Sequence, residues 1–160
     1  QILADLEQDF EVRIITQNVD DLHERAGSSN ILHLHGELLK VRSTKNVNYI
    51  LDWQDDLHLG DVDPNQHQLR PHIVWFGENV PALEEAVYLT QETDIFAVVG
   101  TSLQVYPAAG LIDFTQHKTP LFYIDPKPAK IPNLRNSIAV INTIASEGLV
   151  ILRERLSQLL

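Results

Sequence analysis

A chain of 160 residues, of which 44% are apolar, is long and apolar enough to bury the core of a folded domain, which argues against disorder. Its net charge is −10 and its lysines and arginines are scattered, so we expect neither a nucleic-acid partner nor an anionic membrane surface. The sequence contains no cysteine, which excludes disulfides and thiolate metal sites. It also contains no apolar run that could span a bilayer and no signal peptide. We therefore expect a cytoplasmic protein.

The predicted elements alternate between helix and strand on both sides of a polar segment. In chain order, the pattern first predicts a helix over residues 2–9, a buried strand over 12–16, a helix over 20–26 and an extended segment over 31–35. Residues 40–72 are polar with little periodicity and predict a small inserted module. Beyond it we predict a strand over 73–76, a helix over 81–89, a strand over 95–99, a helix over 108–116, strands over 121–124 and 138–141, and a last helix over 147–159 with Ser146 as N-cap and Leu149, Leu152, Leu156 and Leu159 on one face.

This alternation predicts the α/β class, with a parallel sheet flanked by helices on both faces. In such a sheet, ligands bind beyond the carboxyl ends of the strands. The residues at those ends are Gln17, Asn18, Val19 and Asp20, then Gly100, Thr101 and Ser102, then Asp125, and finally Ile144 and Ala145. Hydroxyl groups beside a glycine suit phosphate and ribose oxygens, and an acid suits ribose hydroxyls. Each segment alone is also typical of an ordinary turn, but together they predict a nucleotide crevice, although the glycine-rich dinucleotide fingerprint is absent.

Two histidines, His33 and His35, lie two residues apart in the extended segment and share one face if the strand is regular. The pair is compatible with a metal site, with structural histidines bonded to the backbone, or with a general base that titrates near neutral pH. Gly36 lets a ligand approach closely, which favours a functional His35.

The segment Val74, Trp75, Phe76, Gly77 and Glu78 has two interpretations. It is either a core strand followed by a turn, or an exposed edge that offers backbone groups to an extended peptide. The sequence leaves both open.

Five segments of the chain occur in a characteristic order: TQNVDDLH at 16–23, HLHGEL at 33–38, RPHIVWFGE at 70–78, GTSL at 100–103 with VYPAAG at 105–110, and SEGL at 146–149. Together they resemble the sirtuins, which remove acyl groups from protein lysines with NAD. The segment 70–78 is most similar to the bacterial and mitochondrial branch, whose members often remove succinyl or malonyl groups.

The resemblance implies a role for each site residue. His35 would be the general base that deprotonates a ribose hydroxyl, after the acyl oxygen has attacked the carbon that carries nicotinamide. NAD would be held at its nicotinamide ribose by Gln17, Asn18 and Asp20, at its ribose and phosphate by Gly100, Thr101 and Ser102, and at its adenosine end by Asp125 and Ala145. The acylated lysine peptide would bind Val74, Phe76, Gly77, Glu78 and Tyr106. The products would be free lysine, nicotinamide and O-acyl-ADP-ribose.

The resemblance also implies that residues 1–39 and 73–160 form a Rossmann-like NAD-binding domain and that the module 40–72 occupies the family's zinc-ribbon position. The four zinc cysteines are missing, and Ser43, Asn46, Asp63 and Gln66 stand approximately in their places. These side chains cannot form a thiolate zinc site. We therefore expect no metal, and a module held by packing and hydrogen bonds.

Two other departures concern the cofactor. Asp125 stands where the family usually has Asn, and the family's N-terminal glycine-rich segment is absent, together with the Tyr and Arg that recognise an acidic acyl group. The chain also lacks methionine, even at position 1. We expect the C-terminal portion of a zinc-less sirtuin, inactive alone, whose fold is completed by the missing segment or by a second chain.

Two other functions remain as alternatives. The first is a non-catalytic module that binds NAD or ADP-ribose. The second is a metalloprotein that binds its metal through histidines. Its candidate ligands are His23, His33, His35, His58, His67 and His72, but their spacing along the chain matches no helical metal motif.

Overall fold

The computed structural model, which describes residues 1–158, is mixed α/β with three separate sheets in the described part of the chain. Its strands are Ile14–Thr16 (β1), Ile31–His33 (β2), Gly36–Ser43 (β3), Ile50–Asp52 (β4), Leu69–Ile73 (β5), Phe96–Val99 (β6), Leu121–Ile124 (β7) and Ile138–Ile141 (β8). Its helices are Ile2–Leu6 (α1), Leu22–Arg25 (α2), Leu83–Gln91 (α3), Ala145–Leu156 (α4) and a 3₁₀ helix over Ala108–Phe114. Across residues 1–158, no helix has the length and apolar character needed to cross a membrane.

The chain divides into two compact units that we describe separately. Unit 1 consists of Gln1–Arg13 and Leu83–Leu160, and unit 2 of Ile14–Ala82. The assignment of residues 1–39 and 73–160 to a nucleotide-binding domain, with 40–72 inserted, stays a prediction.

Unit 1 is built on the parallel sheet of β6, β7 and β8, with β7 in the centre. All four residues of β7 are buried, as expected for a central strand covered on both faces. On one face, apolar residues of α1 and α4 pack against the sheet in a cluster of Leu6, Leu152, Leu156, Phe122, Ile124 and Ile141. This part confirms the predicted strands 121–124 and 138–141 and their parallel order.

The last helix begins earlier than predicted. It starts at Ala145 with Ile144 as its N-cap, so Ser146 lies inside the helix and the prediction of Ser146 as the cap was wrong. Leu149, Leu152 and Leu156 do pack against the core, whereas the predicted Leu159 lies outside the described residues.

Unit 2 contains a parallel pair and an antiparallel sheet. β1 and β2 are parallel, with Thr16 opposite His33, while β3 pairs in antiparallel fashion with β4 and β5. The prediction of a parallel sheet alone was therefore incomplete, because the polar segment 40–72 supplies antiparallel strands. In β3 the charged Arg42 is buried together with Val41 and Ser43, so burial does not follow the hydropathy of the sequence there.

Two further boundaries differ from the prediction. The strand expected over 73–76 ends at Ile73 and begins at Leu69, and Pro71 is tolerated within it because β5 is an edge strand that pairs only with β3 in the described chain. The helix expected over 108–116 is a 3₁₀ helix that ends at Phe114.

Gly36 lies where β3 and β5 approach most closely. Its φ is +85°, and a Cβ built there would overlap the carbonyl oxygen of His72. The sequence suggested that this glycine makes room for a ligand, but the space is occupied by the backbone of β5. Gly36 therefore allows the start of β3 to pair with the end of β5, at Ile73.

We expect Gly36→Ala to destabilise unit 2 more than Gly60→Ala does. Gly60 also has a positive φ, of +103°, but no atom of the described residues lies within 4 Å of a Cβ built there. The control should therefore show only the backbone penalty of about 1–3 kcal/mol. Gly36→Ala should add a steric penalty of about 1–3 kcal/mol. Urea unfolding of both variants measures the difference, and equal losses would show that the contact with His72 relaxes without cost.

Candidate active site

His35 follows β2 in unit 2, and its ring is oriented by the backbone of the turn that follows β1. Its Nδ1 lies 3.0 Å from the carbonyl oxygen of Gln17. Because a carbonyl oxygen only accepts hydrogen bonds, Nδ1 carries the hydrogen. In the neutral ring the lone pair is therefore on Nε2, which is the atom that can take up a proton.

His33, two residues earlier at the end of β2, is bonded at both ring nitrogens. Its Nδ1 lies 3.3 Å from the carbonyl oxygen of Asn18, and its Nε2 lies 2.8 Å from Oε1 of Glu24. Burial raises the pKa of Glu24, but the hydrogen bond with His33 and other favourable contacts outweigh this effect and lower that pKa. The carbonyl groups of Gln17 and Asn18, which are consecutive in one turn, thus hold the two histidine rings. Of the two rings, only that of His35 has an Nε2 that is free to take up a proton.

The turn itself is fixed by local hydrogen bonds. The N–H of Asn18 donates to Oγ1 of buried Thr16 at 3.1 Å, and the N–H of Leu22 donates to Oδ1 of Asp20 at 3.1 Å. One carboxylate oxygen of Asp20 is therefore used at the start of α2. Gln17 is half-buried and Asn18 is exposed, so the Asn18 carboxamide can meet a ligand.

The segment 74–77 is connected directly to His35. The N–H of Val74 donates to the carbonyl oxygen of His35 at 2.9 Å. Beyond Val74 the chain leaves the sheet in a turn, with Phe76 99% exposed and Gly77 at a φ of +87°. The structure thus agrees with the exposed interpretation of this segment rather than with a core strand.

The side chain of Glu78 is bonded within the chain. It accepts hydrogen bonds from Arg70 at 2.6 Å, from Arg42 at 3.2 Å and from the N–H of Trp75 at 3.1 Å. The hydrogen bond with Arg70, the N–H of Trp75 and the charges of both arginines lower the pKa of Glu78. Sequence reasoning assigned no role to either arginine, because the partner that buried Arg42 needs is Glu78, 36 residues away in the chain.

In unit 1, small and polar residues gather at the carboxyl ends of the parallel strands. Gly100, Thr101 and Ser102 follow β6, Asp125 follows β7, and Ala145 begins α4 after β8. Gly100 has a φ of +62° and open space around it, since no described atom lies within 4 Å of a Cβ built there. The first N–H groups of a helix carry partial positive charge, which suits an anionic or polar ligand.

The side chain of Tyr123 stabilises the backbone of the loops that follow β6 and β7. Its buried hydroxyl donates to the carbonyl oxygen of Thr101 at 2.8 Å and accepts from the N–H of Ala129 at 3.1 Å. Oγ1 of Thr101 accepts from the N–H of Leu103 at 3.3 Å, and Oδ1 of Asp125 accepts from the N–H of Lys127 at 2.7 Å. Sequence reasoning missed the role of Tyr123, because the residue reads only as part of an apolar strand.

Tyr106, the predicted peptide contact of unit 1, lies between Gly100 and the 3₁₀ helix. It is 74% exposed and precedes a cis peptide bond to Pro107. Gly110 lies beneath its ring, since a Cβ on this glycine would come within 3.6 Å of Tyr106. The ring is thus supported on one side and open to solvent.

Ser43 and Asp63, at two positions where the sirtuin resemblance expects zinc cysteines, are joined by a hydrogen bond instead. Oγ of Ser43 donates to Oδ2 of Asp63 at 2.7 Å, and both residues are buried. Oγ of Ser43 also accepts from the N–H of Lys45 and Asn46, both at 3.1 Å. Two tight turns are therefore connected through side-chain oxygens.

Asp63 receives further donors that keep it ionised. Its Oδ1 accepts from the N–H of Asn65 at 2.8 Å and of His67 at 2.9 Å. Burial raises the pKa of Asp63, but the N–H of His67, the hydroxyl of Ser43 and the N–H of Asn65 outweigh it and bring the pKa to about 2. We name the Ser43–Asp63 pair with its backbone donors the polar staple.

A zinc ion does not fit these residues. Oxygens that are already saturated by N–H and O–H donors replace the thiolates that such a site needs. Within residues 1–158, no three His, Cys, Asp or Glu side chains are grouped for a metal ion. Nε2 of His33 is bonded to Glu24, so His33 and His35 do not offer a metal ion two free ring nitrogens.

Comparison with known proteins decides the family. The Sir2 family matches residues 1–107, which is most of the chain. The chain is 52% identical over 157 residues to an NAD-dependent protein deacylase of Helicobacter pylori, covering 98% of this chain and 68% of that protein. The chain belongs to the Sir2 family.

Solved sirtuin structures have the same fold. A Sir2 homologue in complex with NAD is 34% identical with a TM-score of 0.83, covering 98% of this chain and 63% of that one. A Sir2 protein with a p53 peptide and NAD is 30% identical with a TM-score of 0.77, covering 96% and 67%. The chain thus spans about two thirds of these relatives and corresponds to their C-terminal portion. Its class is that of the NAD-dependent protein deacylases.

We expect the thermal stability of the chain to be unaffected by chelators and to fall when the polar staple of residues 40–72 is lost. EDTA should leave the Tm unchanged, because no metal bond holds the turns. Asp63→Asn should lower the Tm, since an amide has one acceptor atom where the carboxylate has two. Thermal unfolding measures both, and Asp56→Asn, at an exposed position, is the control for charge. A Tm that falls in EDTA, or an Asp63→Asn variant as stable as the control, would contradict this assignment.

The same pair predicts a pH dependence. The pKa of Asp63 falls from its ordinary 3.8 to about 2 in the folded chain. Folding therefore favours the ionised carboxylate, and its stabilisation is complete above pH 3.8 and is lost as the pH falls through about 2. Unfolding of wild type and Asp63→Asn between pH 5 and pH 2 should show the two stabilities converging in acid. A constant difference across that range would contradict it.

Proposed function

We propose that this sirtuin removes acetyl and succinyl groups from lysine side chains of proteins, transferring them to the ADP-ribose part of NAD. The observation that supports this best is the tautomer of His35. Its Nδ1–H is bound by Gln17, so Nε2 can take up a proton, and its own carbonyl is bonded to the segment proposed to bind the peptide.

The predicted NAD contacts are considered separately for each unit. In unit 1, the hydroxyls of Thr101 and Ser102, the carboxylate of Asp125 and the N-terminus of α4 at Ala145 suit ribose and phosphate oxygens, beside the open space at Gly100. In unit 2, Gln17, Asn18 and Asp20 would hold the nicotinamide ribose. When bound, NAD supplies the sugar carbon that accepts the acyl oxygen as nicotinamide leaves.

His35 would move the proton. Its neutral Nε2 would accept the proton of a ribose hydroxyl. Loss of this proton makes the ribose oxygen a stronger nucleophile toward the acyl group. The positive charge that then develops on the ring is stabilised by the Gln17 carbonyl at Nδ1, which also prevents the ring from turning. His33 is a poor candidate for this role because Glu24 occupies its Nε2.

The peptide would bind along segment 74–77. Here the backbone beyond Val74 leaves the sheet, so its remaining N–H and C=O groups can pair with an extended chain. Phe76 offers an exposed ring to the aliphatic part of the acylated lysine, and Gly77 has no side chain to obstruct a strand. In unit 1, exposed Tyr106 stays a predicted peptide contact.

We expect the complete natural protein to remove acetyl and succinyl groups from lysine peptides in the presence of NAD. Mass spectrometry should show one O-acyl-ADP-ribose and one nicotinamide for each lysine released. The ratio of the two rates gives the acyl preference. Acyl loss without NAD would contradict the proposal. So would a folded protein that binds NAD and forms no product, a result that would favour a binding module.

We expect His35→Ala to lower kcat by about 10²–10⁴-fold while NAD still binds, because a general base contributes to the reaction on that scale. His33→Ala is the matched control, because Nε2 of this neighbouring histidine is bonded to Glu24 and is not free to act as the base. It should keep turnover within about tenfold. Steady-state kinetics and calorimetric NAD titration distinguish the variants, and equal loss in both would show that neither ring is a specific base.

A further inference from the structure

We propose that Arg42 and Arg70 are positioning residues for the peptide-binding segment 74–77, acting through Glu78. The inference rests on the proposed function of that segment and adds a group of residues that do not themselves touch the substrate. Together Arg42, Arg70 and Glu78 form what we call the arginine clamp.

The clamp begins with two like charges placed opposite each other. Arg42 on β3 and Arg70 on β5 are direct partners in the antiparallel register. Like charges in that position repel each other and destabilise a sheet. The side chain of Arg42 is only 10% exposed, and that of Arg70 is 27% exposed, so water screens them poorly. The pair therefore needs an anion, and the carboxylate of Glu78 supplies it.

The carboxylate bridges both arginines. Oε1 of Glu78 accepts from Nη1 of Arg70 at 2.6 Å, and Oε2 accepts from Nη2 of Arg70 at 3.3 Å and of Arg42 at 3.2 Å. Two parallel bonds from one guanidinium fix the orientation of a carboxylate more firmly than a single bond. Glu78 is thus held against the sheet although it follows an exposed turn.

The same groups fix where the chain leaves the sheet. Both guanidinium groups donate to the carbonyl oxygen of Ile73, the last residue of β5, at 3.4 Å from Arg42 and 3.3 Å from Arg70. Oε2 of Glu78 accepts from the N–H of Trp75 at 3.1 Å, and the N–H of Glu78 donates to the carbonyl of Trp75 at 3.0 Å. Both ends of segment 74–77 are therefore anchored.

This anchoring has a consequence for binding. A segment that is already held in one conformation loses less conformational entropy when a peptide pairs with it. Loss of the clamp should therefore weaken peptide binding, while the proton transfer by His35 and the NAD groups of unit 1 are left in place. Glu78 serves the peptide by holding the segment, since its carboxylate is occupied within the chain.

The test measures peptide and NAD dependence separately in the complete natural protein. For Glu78→Gln and Arg70→Gln we expect the KM for an acyl-lysine peptide to rise about tenfold or more, because the first leaves two arginines without their anion and the second removes the two parallel bonds to Glu78. The KM for NAD should change less than about twofold, and kcat at saturating peptide should be retained. Arg70→Lys keeps the positive charge but cannot make the two parallel hydrogen bonds of a guanidinium group. Its KM for the peptide should therefore lie between those of wild type and Arg70→Gln.

Asp52→Asn, which removes an exposed charge from β4 of the same sheet, is the control and should leave every constant unchanged. The proposal is overturned if the folded Glu78→Gln variant has a wild-type KM for the peptide, if both KM values rise together, or if Asp52→Asn reproduces the effect. If Glu78→Gln does not fold, the intermediate KM of Arg70→Lys decides, and an unchanged value overturns the proposal.

A second readout does not depend on turnover. In the 160-residue chain carrying Trp53→Phe the emission comes from Trp75, whose backbone N–H is bonded to Glu78. We expect Glu78→Gln to increase quenching of Trp75 by acrylamide, whereas Asp52→Asn should not. An inactive wild type would refute the proposed function but would leave this readout standing, and unchanged quenching would refute the clamp itself.

Discussion

The close approach of Gly36 to the carbonyl of His72 is the constraint on which the geometry of unit 2 depends. No residue with a Cβ fits there, so β3 and β5 can meet at this point only through glycine. Their pairing brings the carbonyl of His35 to the N–H of Val74. Because His35 immediately precedes β3 and Val74 immediately follows β5, a looser contact would separate the base from the segment proposed to bind the peptide. The position of the chemistry thus follows from a backbone contact.

Polar contacts rather than a metal organise the antiparallel part of this sirtuin. A zinc ion would join two turns by four thiolates, whereas here a serine hydroxyl and a carboxylate join them and the backbone supplies the remaining donors. A buried carboxylate is tolerated because its donors compensate for lost hydration. The same principle applies to the arginine clamp, where a shared anion compensates for two opposed cations. Both groups join separate parts of unit 2, and both depend on complete satisfaction of their hydrogen bonds.

The sequence predicted the alternating elements of unit 1 and the residues at their ends, because buried strands such as Leu121–Ile124 are continuous apolar runs. It did not predict the antiparallel sheet, since charged side chains interrupt β3 and β5 and conceal their period. The same residues explain the failure. Arg42 and Arg70 lie in strands because an anion from a later turn neutralises them, and a partner 36 residues away leaves no local signal at Arg42.

The sequence by itself determined the family, the catalytic candidate and the absence of a thiolate zinc site, because these depend on which residues are present and in what order. Only the tertiary structure decided which nitrogen of His35 holds its proton, why Gly36 is a glycine, and what the carboxylates of Asp63 and Glu78 do. Each of these depends on groups that are distant in the chain and become neighbours on folding. Hydrogen bonds and steric contacts act over a few ångströms, so they are fixed by the folded backbone and not by the spacing of residues along the sequence.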